Sequence, residues 1–569
     1  MLRSRLFYLL FIIVTSAGHL HAQTLPDSVL KRINSLFDYW NKAQSPGCVV
    51  GIVRNDTLVF SKGYGMANLE YAIPNTSETL YHLASVSKQF TAYAIILLEQ
   101  QGKLSLDDDI RKYLPWFPDM HQKITIRNLL NHTSGIRDQW QLLGISGTRP
   151  DDVITQEQII KILSKQQGLN FTPGSKFMYS NSGYTLLAEI VKVVSGRSLR
   201  EFADSAIFKP LGMNSTHFHN DYTEIEKNRA YSYNRKNNTQ FSNGVLSNGN
   251  IGPSNLISNI DDLAKWVMNF YNTKAGNQHS VSLLTRNGKF NDGTELDYAA
   301  GIISRRYKGW KQYEHDGSDA GYRTFITIFP ELKTGIIVLS NLSEINVSGK
   351  AAQIADIIIP EKHPDTILPE MKGSVKIPAT ELPFMEKQQG SYFSNGVNLV
   401  MDLKVKDGRL YQRMGSNDYY PMKRDTEQTY SIFYAPDVKF HFKQQPGEDD
   451  LVMTTEFDTY HFKRLPDKLV TDDKTLMNYT GVYYSPELDC IYRIVLKNHE
   501  LYLTNNKYDD TKLTLFGTDD LFNDNWCMKR LTVTRNKSGK VTGLEVNSWR
   551  VLHLRFVKIN PASLKAYKR

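Results

Sequence analysis

The chain has 569 residues, 41% hydrophobic and 22% charged, with 68 Lys and Arg against 59 Asp and Glu and a formal charge of +9. That apolar share excludes a disordered chain, and 36 Gly with 21 Pro exclude a collagen-like one. Three cysteines, Cys48, Cys490 and Cys527, are too few for a disulfide scaffold or a Cys-rich metal cage, and the scattered basic excess lacks the aromatic interleaving of a nucleic-acid surface.

Met1–Arg5 carries Arg3 and Arg5, Leu6–Gly18 is an uncharged, mostly apolar run, and Leu20-His21-Ala22 ends in a small residue. This is the pattern of a secretory signal peptide over residues 1–22. The run is shorter than the ~20 apolar residues of a spanning helix. No later segment is long and apolar enough to span a membrane, and no Cys near the cleavage site offers a lipid anchor. The expectation is an exported chain, periplasmic or secreted, in a compartment that permits a Cys490–Cys527 disulfide.

Residues 23–360 mix helix and strand. Ser87–Gln101 is rich in Ala, Ile and Leu, ends at Gly102 and reads as a buried helix; Tyr184–Ser195, stopped by Gly196, reads as another. Arg323–Phe329 and Ile336–Leu339 read as strands joined by a hairpin turn over Pro330–Gly335, and Ser348–Ile359 as a closing helix. Five prolines (Pro360, Pro364, Pro369, Pro378 and Pro383) make 361–383 a stiff linker. Beyond it, short alternating segments form an all-β pattern. A shift of 91 residues aligns Gly390, Tyr392, Ser394, Lys406, Leu410 and Tyr411 with Gly481, Tyr483, Ser485, Lys497, Leu501 and Tyr502. Two β-modules follow, over 384–467 and 474–560, with Asp407-Gly408 and Asn498-His499 at equivalent hairpin turns.

Three short motifs carry chemistry. Ser85-Val86-Ser87-Lys88 puts a hydroxyl and an amine on one helical face at i, i+3. A buried lysine of lowered pKa can take the serine proton, and the helix N-terminus offers free N–H groups to an oxyanion. Tyr179-Ser180-Asn181 offers a proton-relaying phenol and an amide able to hold Lys88 and a substrate carbonyl. His315-Asp316-Gly317-Ser318 is expected just ahead of a Gly-flanked edge strand, with the Ser318 N–H as second oxyanion donor. Taken singly, each motif also fits a plain cap, a buried tyrosine or a surface turn.

Other features read as structural. Lys333-Thr334-Gly335 is a hairpin turn with Gly335 supplying φ freedom. Asp107–Asp109 is a capping run, and His132 fixes backbone in its turn. His217-x-His219 alternates as on a strand and lacks a further ligand at metal-site spacing, so no metal is expected.

The order S-x-x-K, then Y-x-N, then H-x-G resembles the serine β-lactamase and penicillin-binding-protein superfamily, in its class C-like branch. Phe90-Thr91-Ala92, His132-Thr133-Ser134-Gly135 and Phe208-Lys209-Pro210-Leu211-Gly212-Met213 add to the match, which runs over about Leu30–Pro360. The resemblance implies an α+β fold of β-lactamase/transpeptidase type, an antiparallel sheet flanked by helices, followed by small barrel-like modules. It implies Ser85 as acylated nucleophile, Lys88 as base, Tyr179 as its partner, and Asn181, His315, Gly317 and Ser318 as substrate-binding residues. It implies a peptide-like or small ester substrate and no cofactor. His315 and Asp316 stand where class C enzymes have Lys and Thr, which disfavours an anionic β-lactam. A non-catalytic binding protein on the same fold, and a true β-lactamase, are the alternatives.

Overall fold

The computed structural model describes residues 25–362, 377–396 and 398–562, the last with short gaps at 415–418, 427, 433–434, 444–449, 456–458, 470 and 561. The expected export segment and most of the proline-rich stretch lie outside the described residues.

The first domain is built on six antiparallel strands: β1 (Cys48–Arg54), β2 (Thr57–Tyr64), β3 (Ile303–Tyr307), β4 (Trp310–Asp319), β5 (Tyr322–Phe329) and β6 (Thr334–Ser340). Their order in the sheet is β3-β4-β5-β6-β1-β2, which places the N-terminal hairpin beside the last strand. Valine-rich β1 is buried on both faces, and its alternation sorts its side chains into two cores. Cys48, Val50 and Ile52 pack with Ile33 of helix α1 (Asp27–Ser35) and with Ala351 and Ile354 of helix α6 (Val347–Ile358). Val49 and Val53 join the larger core on the other face, with helix α2 (Lys88–Gln100) and helix α5 (Ile260–Asn269).

Helix α2 is buried from Lys88 through Leu98, as its apolar periphery requires. A 3₁₀ turn, Ala84–Ser87, precedes it. Helix α4 runs Asn181–Ser195 and ends at Gly196 with φ +71°. It starts three residues earlier than expected, which puts Asn181 in its first turn.

Two sequence expectations need correction. His315 precedes the expected strand, β5, but lies inside a strand of its own, β4, which has neighbours on both sides. Pairing with β3 stops at Glu314, so only the stretch from His315 to Asp319 presents an edge there. Before β6, Lys333 itself takes the left-handed conformation, φ +46°, not Gly335. Gly335 sits in β6, where a Cβ would fall 2.4 Å from Val267 Cγ1, so it serves close helix–sheet packing.

The C-terminal modules are two closed eight-stranded barrels, from Gly390–Ser394 to Thr459–Arg464 and from Gly481–Ser485 to Val551–Ile559. Both hairpin dipeptides have φ > 0 at each residue, as a type I′ turn demands. Ile377 and Met385 are part of the first barrel's core, so its structured polypeptide begins before Pro378. Pro383 is accommodated in the first turn of a short helix, Leu382–Lys387, where a missing N–H costs nothing.

The second barrel is not a tethered passenger. Its core residues, among them Tyr492, Leu513 and Leu554, are continuous with the larger core of the first domain. It docks on helix α3 (Gln139–Ser146) and the turns around it. Gln141 Nε2 donates to the Cys527 and Ser548 carbonyls, 2.7 Å each, and Arg137 Nη1 meets both Glu487 oxygens at 2.9 Å in a buried ion pair. Phe393 and Leu465 of the first barrel pack on Phe516 and Phe522 of the second. Cys490 and Cys527 are free thiols, not a disulfide, and burial pushes the Cys527 thiol up to about 12.

Candidate active site

The nucleophile turn is held from behind. Ala84 adopts φ +48°, and in the turn it begins Ser85 lines the cleft together with Asp316 and Ser318 of β4. Strand β4 passes very close: a Cβ on Gly317 would lie 2.3 Å from both the Leu83 carbonyl and Thr324 Oγ1. Thr324 Oγ1 donates to that carbonyl at 2.7 Å, and Leu83 N–H is taken by the Leu256 carbonyl at 2.8 Å. Only glycine at 317 lets the strand edge reach the serine.

Lys88 follows one helical turn on and is fully buried. Its Nζ lies 3.1 Å from Ser85 Oγ, 2.8 Å from Asn181 Oδ1 and 2.8 Å from the Pro253 carbonyl. Burial, and next the Arg550 charge, hold the amine well below the ordinary lysine range. Once neutral, it has two N–H bonds for two fixed acceptors, and its lone pair is left facing the Ser85 hydroxyl.

Tyr179 hydrogen-bonds Ser85 and lies under the lysine, with Nζ 4.7 Å from its ring centroid. Burial raises its phenol well above the ordinary value, so it stays protonated at neutral pH. The His132 ring packs against it, tilted by 36° with centroids 4.2 Å apart, and His132 Nδ1 accepts the Ser180 N–H at 3.1 Å. With its pKa depressed chiefly by burial, His132 is a neutral brace for the backbone that carries Tyr179.

Asn181 is oriented by a residue that sequence reasoning missed. Asp138, 1% exposed, accepts from Asn181 N at 2.8 Å and Nδ2 at 2.9 Å, which turns Oδ1 toward Lys88. The same carboxylate caps α3 by accepting from Trp140 N at 3.0 Å. An acidic residue ahead of a helix was the available signal, but capping alone would account for it.

His315 is buried, and its Nε2 lies 2.9 Å from the Tyr298 hydroxyl, with Nδ1 2.5 Å from the Asp316 carbonyl. Burial lowers its pKa. The partners assign a neutral ring that donates from Nδ1 and accepts at Nε2. Asp316 and Ser318 alternate to the exposed side of β4 and line the cleft. The position that faces substrate therefore carries a carboxylate and no cation of its own.

Arg149 and Arg305 of the first domain line the same cleft, and a further cation reaches it from the second barrel. Trp549-Arg550, at the tip of the second barrel's last hairpin, enters the cleft. The Arg550 guanidinium sits 4.7 Å from the Tyr179 ring centroid and 3.9 Å from Asp138 Oδ2. Its backbone is clamped: N–H donates to Gln141 Oε1 at 2.8 Å, and the carbonyl accepts from Asn170 Nδ2 at 2.9 Å. Nothing in the sequence around Arg550 signals this placement. The resulting cavity, about 1190 Å³, has walls from all three domains, including Asn395 and Tyr460 of the first barrel and Trp526 of the second.

The family model described as Beta-lactamase matches residues 33–358, more than half of the chain. Penicillin-binding protein 4* of Bacillus subtilis (strain 168) is 29% identical over 399 residues, covering 67% of this chain and 86% of that protein. A D-aminopeptidase of Brucella anthropi is 24% identical over 540 residues, covering 91% of this chain and 96% of that protein. Among solved structures, the octameric penicillin-binding protein homologue from Pyrococcus abyssi superposes with a TM-score of 0.52 at 25% identity, over 77% of this chain and 98% of that one. The chain belongs to the beta-lactamase family.

Proposed function

We propose that this member of the family is an exported serine hydrolase that forms an acyl-enzyme on Ser85 and cleaves amide bonds in short peptide-like substrates with D-residues, small esters coming second. The observation that carries the reading is the Lys88 amine, buried, depressed in pKa and held by two fixed acceptors with Ser85 Oγ as its third neighbour. Neutral Lys88 takes the hydroxyl proton as Ser85 attacks the carbonyl. The N–H groups of Ser85 and Ser318 receive the oxyanion. Protonated Tyr179 gives its proton to the departing amine and regains one from the Lys88 ammonium. Water, deprotonated by the same pair, then releases the acid.

Substrate class follows from charge. A neutral His315 beside the Asp316 carboxylate favours an uncharged or cationic group over a carboxylate at the β4 edge. The D-aminopeptidase likeness, which spans the barrels as well as the catalytic domain, supports a free amino end there. Walls contributed by both barrels suit short substrates better than a polymer. A second reading, β-lactam hydrolysis, draws on Arg550 as an alternative partner for a substrate carboxylate. Export rests on the basic and apolar N-terminal pattern alone.

Labelling the full chain with a fluorophosphonate and with a labelled penicillin, then mapping adducts by mass spectrometry, tests the reading. A fluorophosphonate adduct on Ser85, with turnover of D-aminoacyl amides, is expected. The absence of any Ser85 adduct would overturn catalysis, and rapid penicillin turnover would favour the second reading. N-terminal sequencing of protein recovered outside the cytoplasm, expected to begin near Gln23, tests export.

A further inference from the structure

Behind the nucleophile turn lies a small sheet in which Leu256–Ser258 pairs on one side with Tyr81–His82 and on the other with His217–Phe218. The chain leaving that outer strand turns at Asp221, whose Oδ1 accepts from Thr223 N–H at 2.9 Å, and comes back on itself. The return brings His217, Glu224 and Glu226 together, one donor atom from each lying within 4.8 Å of the others. His217 Nε2 is 2.6 Å from Glu226 Oε1.

His219 stands beside this cluster, nearest to Glu226, and outside the group of three whose donor atoms all lie within 4.8 Å of one another. His219 is 6% exposed, and its buried Nε2 has no hydrogen-bond partner among the described residues. That nitrogen lies 3.9 Å from Glu226 Oε1, beyond hydrogen-bond reach but at a separation that a shared cation spans. The two histidine rings, two residues apart, have centroids 6.5 Å from one another. An unpartnered imidazole nitrogen in a buried site is costly unless something occupies its lone pair. Glu224 is held on its outer side by Arg200, at 2.6 and 2.8 Å, which leaves it the weakest candidate ligand. The sequence expectation that His217-x-His219 lacks a further ligand overlooked Glu224 and Glu226, because only the reversal at Asp221 brings them near.

We propose that His217, His219 and Glu226, with Glu224 as fourth donor, bind a divalent transition-metal cation. Two imidazoles with carboxylate oxygens are the donor set of Zn²⁺. The site is structural: none of its four residues lines the Ser85 cleft, and it pins the edge strand of the small sheet. Leu256 of that sheet bonds the nucleophile turn directly, its N–H donating to Ser87 Oγ at 3.0 Å. The ligands at Zn–N and Zn–O distances of about 2.0–2.2 Å need His217 and Glu226 to separate slightly, the cation replacing the proton between them.

The test uses full-length protein stripped with chelator and titrated with Zn²⁺ by calorimetry, with bound metal counted by mass spectrometry. One equivalent, a raised thermal midpoint, and at least 100-fold weaker binding in H219Q and E226Q are expected. Fluorophosphonate labelling of Ser85 should persist in both variants. Failure to bind a stoichiometric equivalent, or equal affinity in the variants, overturns the site. If a variant does not fold, X-ray absorption of the zinc-loaded wild type decides: two imidazole ligands support the proposal, and none or one refutes it.

Discussion

Replacing Arg550 by Gln removes one charge from the catalytic cleft without touching the backbone contacts that hold the hairpin in place. The Lys88 amine and the Arg550 guanidinium each stand 4.7 Å from the Tyr179 ring centroid, so they are separated by at most twice that distance. At an effective dielectric of 20, two unit charges at that limit repel by about 1.8 kcal/mol, a little over one pKa unit. Lys88 is fully buried and Arg550 only partly exposed, so solvent screening removes a fraction of this rather than most of it. The working form of Lys88 is the neutral amine, and kcat/KM rises with pH as its proton leaves, at a pH well below 10.5. Without Arg550 that acid limb should move up by about one pH unit. Activity on the limb should then fall roughly tenfold and converge with wild type at higher pH. The assay is kcat/KM against pH with an uncharged D-aminoacyl amide analogue or small ester, which excludes a carboxylate contact to Arg550. A limb that stays in place would refute the coupling. A uniform loss at every pH would instead place Arg550 in substrate binding.

Asp138→Asn leaves one acceptor oxygen where the carboxylate uses both, so it cannot cap α3 and hold Asn181 together, and kcat should fall on the order of 10–100-fold with little change in KM; unchanged kcat would show that Asn181 needs no such lock. Gly317→Ala puts a methyl against the Leu83 carbonyl, and calorimetry should show about 1–3 kcal/mol lost together with Ser85 labelling, whereas a wild-type midpoint would argue that the strand can move away. Arg137→Ala strands the Glu487 carboxylate in the domain interface and should cost about 3–5 kcal/mol in denaturant unfolding. A chain ending near Pro360 should aggregate, since it bares the α3 surface and leaves the larger core open; a soluble, active fragment would show the barrels to be dispensable.

What could be read from the sequence divides by the distance over which each contact is made. Ser85 and Lys88 are three residues apart on a helix, so their meeting is local and legible. Both barrels announced themselves through hairpin dipeptides and a repeat, because a type I′ turn constrains two adjacent residues. Tyr298 meets His315 across 17 positions, Asp138 meets Asn181 across 43, and Asn170 meets Arg550 across 380, and no local pattern encodes such meetings. The interface hid for a second reason. Arg137, Gln141 and Asn170 are polar residues in and around a short helix, which in a sequence read as solvent-facing. They are nevertheless buried, because apart from the Glu487 carboxylate that meets Arg137 their partners on the second barrel are main-chain groups: Leu552 and His553 carbonyls for Arg137, Cys527 and Ser548 carbonyls for Gln141, and the Arg550 carbonyl for Asn170. Backbone acceptors carry no side-chain signature. A polar seam matched to main chain is thus invisible in composition and still fixes one docking geometry, and that geometry is what delivers Arg550 to Tyr179 and Lys88.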